Sequence, residues 1–113
     1  MDKKKILVAE DDIMTVNLLK FRLEKEGYEV WVAKDGKEAQ QLLEKGLPDI
    51  ILSDIMMPHM NGLELTSYVR NELKSDVPLI LLSVAGQEDM VIRTFELGAD
   101  DFISKPFSPN ELV

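Results

Sequence analysis

Five short apolar runs, each leading into a stretch with helical spacing, limit what this chain can fold into more than any other feature. The runs are Ile6 to Ala9, Val30 to Ala33, Ile50 to Ser53, Leu79 to Ser83 and Phe102 to Ser104. Three are nearly all apolar, as strands buried on both faces must be, which predicts a parallel sheet. Val16, Leu18, Leu19 and Leu23 predict a first helix closed by Gly27. Ala39, Leu42 and Leu43 mark a second before Gly46 and Pro48; Leu63, Leu65, Tyr68, Val69 and Leu73 mark a third before Pro78. A fourth is expected from Glu88 to Leu97, with Val91, Ile92 and Phe95 inward and Gly98 closing it.

Strand and helix therefore alternate, and right-handed crossovers turn that alternation into an α/β fold with helices on both faces. The expected architecture is a doubly wound five-stranded parallel sheet of flavodoxin-like order 2-1-3-4-5, whose sites lie beyond the carboxyl ends of strands 1 and 3. At 113 residues, 45% of them apolar, residues 1–113 suit one domain with one core. Ser108-Pro109-Asn110-Glu111 carries a serine cap, a first-position proline and a glutamate three residues after the cap, the start of a final helix that is truncated a turn later. Apolar side chains of strands 1, 3 and 5 are accordingly expected to lie open and to favour self-association.

Composition excludes several classes of function. A net charge of -8 opposes direct nucleic-acid binding. Without cysteine there is neither a disulfide nor a thiolate metal site. No apolar run approaches the roughly 20 residues of a membrane span, and the Met1-Asp2-Lys3-Lys4-Lys5 start leads straight into a strand, so a cytoplasmic location is expected.

The strand ends carry the chemistry. Glu10-Asp11-Asp12 follows the first run, Asp54 the third, Ser83 closes the fourth and Lys105 comes soon after the fifth. Crowded carboxylates repel unless a cation neutralises them or some turn to solvent, and a hard divalent ion such as magnesium suits an oxygen-only set. Magnesium and an ammonium together let a carboxylate, here Asp54, attack a phosphoryl group, with Ser83 and Lys105 completing the phosphate site. Singly, each residue has a plainer reading: Asp11 or Asp12 as a helix cap, Asp54 as a turn residue before Pro58, Asn61 and Gly62, Ser83 as a cap of the fourth helix, and Lys105 as a solvated charge. Their joint occurrence favours the site. His59 is assigned no role, and Trp31 is read as packing surface.

The strings Ile6-Leu-Val-Ala-Glu-Asp-Asp12, Asp54-Ile-Met-Met-Pro58 with Gly62, Leu81-Leu-Ser83 and Gly98-Ala-Asp-Asp-Phe-Ile-Ser-Lys-Pro-Phe107 resemble those of response-regulator receiver domains, apart from the missing final helix. The resemblance implies that Glu10 and Asp11 are the acidic pair, Asp54 the phosphoacceptor, Ser83 the switch hydroxyl, Phe102 the switch aromatic and Lys105 the family's lysine. It further implies that Asp11, Asp54 and the Met56 carbonyl contact Mg2+ directly, that Glu10 acts through water, and that the Lys105-Pro106 bond is cis. Two features depart from the usual pattern. Val84 replaces a small residue after Ser83, which narrows access to Asp54. Met56 and Ala85 offer no side-chain hydrogen bond to an attacking water, which implies a long-lived phosphoryl state.

The function implied is a signalling switch. A histidine kinase or phosphotransfer protein supplies the phosphoryl group, and a conformational change through Ser83 and Phe102 controls an output domain or partner. No turnover enzyme is expected. The competing enzymatic class, haloacid-dehalogenase-like phosphohydrolases, places a second Asp two residues after the nucleophile, where this chain has Met56; a phosphorylation-independent binding module is favoured only by Val84. Arg93, Glu96, Asp100, Asp101 and the 105–113 run look like receivers of winged-helix transcription factors, which implies transcription regulation and a homodimer formed through that charged face.

Overall fold

The computed structural model describes residues 3–57, 60–84 and 86–104. Five parallel strands, β1 (Lys5–Ala9), β2 (Glu29–Ala33), β3 (Ile50–Asp54), β4 (Leu79–Ser83) and β5 (Asp101–Ser104), form one sheet in the order β2-β1-β3-β4-β5. Four α-helices connect them: α1 (Ile13–Lys25), α2 (Gly36–Lys45), α3 (Gly62–Ser67) and α4 (Glu88–Leu97). The strand order and the boundaries agree with the sequence pattern to within a residue at most strand ends.

Alternation along each strand divides the core in two. Leu7, Ala9, Ile51, Leu79 and Leu81 point to one face, where Ala39 and Leu43 of α2, Leu65 of α3 and Val91 of α4 cover them. Ile6, Val8, Leu52 and Leu82 point to the other, against Leu19 and Leu23 of α1. Both faces must be apolar because helices lie on both, hence the nearly unbroken apolar runs. The open face expected on strands 1 and 3 is absent: Ile6, Val8 and Leu52 are buried, and Ile103 of β5 is half-buried against the same cluster. The helix start at Ser108 to Val113 and the Lys105-Pro106 bond lie outside the described residues.

Three details differ from the sequence pattern. In α1, Leu18 faces solvent together with Ile13, Met14 and Phe21, and only Leu19 and Leu23 are fully buried. In α4 the buried pair is Val91 and Thr94, whereas Ile92 is 58% and Phe95 37% exposed. The inward stripe is displaced because the Thr94 hydroxyl donates to the Met90 carbonyl at 2.7 Å, which satisfies its polar atom inside the fold. The third helix widens after Ser67 into a π-helical turn, Tyr68–Glu72, closed by the Leu73 amide donating to the Tyr68 carbonyl. The wider turn buries both Tyr68 and Val69.

Arg70 leaves that turn to tie three connections together. Its Nε donates to the Gly98 carbonyl at 2.9 Å, and its NH1 to the carbonyls of Ser75 (2.9 Å) and Val77 (2.8 Å). NH2 pairs with Asp100 at 2.9 Å, and the same carboxylate oxygen accepts from the Leu79 amide at 2.8 Å. Gly98 caps α4 at φ +117°, and a Cβ there would stand 2.9 Å from Arg70 Cγ, so both backbone and space call for glycine. Asp100, expected on a charged outer face, keeps its side chain 53% exposed there while also holding Arg70 and the Leu79 amide.

Candidate functional site

The register sets the site. Ala9 of β1 pairs with Ser53 of β3, so Glu10 and Asp54 follow at the same level, one on each neighbouring strand end. The Glu10 amide continues the ladder to the Ala33 carbonyl at 2.9 Å, and the Ile55 amide continues it to the Leu82 carbonyl at 3.2 Å. Glu10 and Asp54 are thus held by strand geometry and are buried, at 1% and 8% exposure. Asp11, the next residue, is exposed. One carboxylate oxygen from each of Glu10, Asp11 and Asp54 lies within 4.8 Å of the other two.

Asp12 separates from this cluster. Its carboxylate caps α1, accepting from the Thr15 amide at 3.1 Å and from the Thr15 hydroxyl, and its own amide donates to Glu10 at 3.3 Å. Of the two acids that could have capped the helix, this one does so, and Asp11 joins the cluster.

On the far side of Asp54 the chain folds back sharply. The Gly62 amide donates to the Ile55 carbonyl at 2.7 Å, and a Cβ on Gly62 would meet the Asp54 carbonyl oxygen at 2.7 Å. Only glycine allows this approach, which brings the start of α3 against the end of β3. Asn61 caps α3 in a reciprocal box with Glu64. Met56, in the intervening turn, has a half-exposed side chain.

Ser83 ends β4 opposite Ser104 of β5 and is 4% exposed. It caps no helix: α4 begins after Gln87, whose side chain accepts from the Val84 amide at 2.8 Å. Val84 is 44% exposed beside it, and Phe102, on β5, is 43% exposed. Lys105, the cation expected at this edge, lies outside the described residues.

The donor set fits a small hard cation. Magnesium holds oxygens at about 2.0–2.1 Å, so two direct ligands stand at most about 4.2 Å apart. The 4.8 Å spread is met by a shift of a few tenths of an ångström, or by a water between the ion and one carboxylate. Oxygen ligands alone, without nitrogen or sulfur, favour magnesium, calcium or manganese over zinc or copper. One further residue, Phe95, borders Ser83 and Phe102 and escapes sequence reasoning, because its ring partner lies on another element.

Among solved structures, a protein described as a response regulator from Chloroflexus aurantiacus is 36% identical, covers 98% of this chain and 92% of its own, and superposes with a TM-score of 0.91. The signal receiver domain of a histidine kinase from Syntrophus aciditrophicus is 37% identical over 96% of this chain and 83% of its own, with a TM-score of 0.86. Chemotaxis response regulator CheY4 of Vibrio cholerae is 31% identical over 98% and 93%, with a TM-score of 0.91. The family model described as response regulator receiver domain matches residues 6–113. Sheet order, the carboxylates at the strand ends and these matches agree, and the chain belongs to the response regulator receiver domain family.

Proposed function

We propose that Asp54 accepts the phosphoryl group in this phosphoacceptor switch, with magnesium bound by Asp11, Asp54 and the Met56 carbonyl and with Glu10 acting through water. The observation that supports this most is the convergence of Glu10, Asp11 and Asp54 from two adjacent strands onto one point. An Asp54 carboxylate oxygen forms the new bond to phosphorus as the phosphorus–nitrogen bond of a donor phosphohistidine breaks. The donor imidazole leaves with the electron pair and takes up a proton. Bound magnesium would supply the positive charge that lets one anion approach another. Lys105 neutralises a phosphoryl oxygen, and the Ser83 hydroxyl swings to donate to another. Phe102 then turns inward, and the output surface changes affinity.

The phosphodonor is a histidine kinase or phosphotransfer protein, and its contact is supported by Met14, Leu18 and Phe21, spaced along the exposed side of α1 that begins beside Asp11. The domain turns over no substrate, works in the cytoplasm, and passes its signal to a separate output, for which a DNA-binding winged-helix domain and a homodimeric receiver are the reading. No helix among the described residues is long and apolar enough to cross a membrane.

Intact mass after incubation with acetyl phosphate tests the assignment. Wild type is expected to gain one phosphoryl group with magnesium and none with EDTA, and Asp54→Asn to gain none in either. Equal modification of Asp54→Asn would refute the role of Asp54.

A further inference from the structure

Between α4 and β5 lies a cavity of about 450 Å³, lined by Ser83, Val84, Val91, Ile92, Phe95 and Phe102. Its walls are mainly apolar, with Glu88 and Ser104 also on its lining. The buried Ser83 hydroxyl therefore opens onto a space large enough for an aromatic ring, and the Phe102 ring stands on its border rather than inside it. What holds the ring there is visible. Phe95 of α4 meets Phe102 edge to face, with ring centroids 6.0 Å apart and planes at 78°. This is the favoured geometry for two aromatic quadrupoles.

Phe95 gains little else from its position. The buried positions of α4 are Val91 and Thr94, and Phe95 is 37% exposed. Movement of the whole helix towards β5 is opposed at its far end, where Arg70 grips the Gly98 carbonyl and Asp100. With the end of α4 fixed, the cavity is most readily filled by rotation of a side chain already at its edge, and rotation of Phe102 gives up its present edge-to-face geometry with Phe95.

We propose that Phe95 is a latch: its edge-to-face contact holds Phe102 in the outward, resting orientation, so that a residue of α4 remote from the carboxylates sets how much of the domain is active before any phosphoryl group arrives. The inference rests on the reading that Phe102 turns inward on phosphorylation. An aromatic pair of this kind biases a two-state equilibrium by roughly two- to tenfold. Phe95 is a positioning residue and touches neither phosphoryl group nor metal.

Fluorine NMR of the chain carrying 4-fluorophenylalanine tests this, because the sequence has four phenylalanines and each resonance is assignable by substitution. Magnesium with beryllofluoride, a phosphoryl mimic, defines the inward state of Phe102 in wild type. Phe95→Ala is expected to raise the inward population without the mimic by roughly two- to tenfold, and to lower the half-saturating beryllofluoride concentration. Phe95→Leu, which keeps bulk but loses the ring edge, should fall between; thermal melts show whether each variant remains folded. If wild type responds to the mimic but neither variant changes its inward population, the latch is refuted alone. If saturating mimic leaves the Phe102 resonance of wild type unmoved, the inward-turning reading fails, and the latch fails with it.

Discussion

Val84 follows the buried Ser83 with nearly half of its surface exposed, and its amide is held by the Gln87 side chain at 2.8 Å. Its side chain is thus free to crowd the approach to Asp54, while its backbone is fixed by a bond that an alanine would also make. Val84→Ala is therefore expected to be phosphorylated by a small donor at least as fast as wild type. A slower rate in stopped-flow or mass measurements would show that the valine side chain supports the loop instead. At this scale the acids were legible in the sequence because strand periodicity fixes which residue leaves the sheet at which level, and Glu10 and Asp54 each come immediately after a run. Phe95 was not. Helical spacing gives Phe95 as good a claim to the interior as Val91, and the offset arises from Thr94, whose hydroxyl finds its acceptor within the helix.

Among the elements, the π-helical turn and α4 depend on one side chain. Arg70 donates to three backbone carbonyls and to Asp100, and its side chain is only 14% exposed. Arg70→Met would leave those carbonyls and the Asp100 carboxylate short of donors, a loss of roughly 2–4 kcal/mol. In calorimetry this should lower the melting temperature by about 10 °C or more. Arg70→Lys, with a single ammonium in place of a planar fork, is expected to recover less than half of the loss. A melting temperature for Arg70→Met within two or so degrees of wild type would show that water replaces the missing donors without cost. None of this was legible in the third apolar stripe, where an arginine between Val69 and Asn71 resembles any solvated charge. Its partners are up to 30 residues away and are brought together only by the packing of α4 against α3.

For the whole molecule, the order β2-β1-β3-β4-β5 places β1, β3 and β4 between neighbours and leaves β5 paired on one side only. Edge strands open at lower free energy than central ones. Native-state hydrogen exchange should find the amides of β1 and β3 protected to the level of global unfolding, and those of β5 exchanging through a smaller opening. Equal protection in both would contradict a graded sheet. The sequence made this order legible through the alternation of strand and helix. It misled about the face beneath α1, because a count of helices per face ignores how far Leu19 and Leu23 reach over Ile6, Val8 and Leu52.

The same strand order has a consequence for how the chain is made. The first 54 residues contain β1 and both strands that flank it, so a growing polypeptide can close the centre of its sheet before β4 is translated. Each later strand adds to one advancing edge in the order of synthesis, and none has to force its way between two already paired. Asp54 ends this first unit and Phe102 belongs to the last, so the proposed acceptor is in place before the strand proposed to report on it exists.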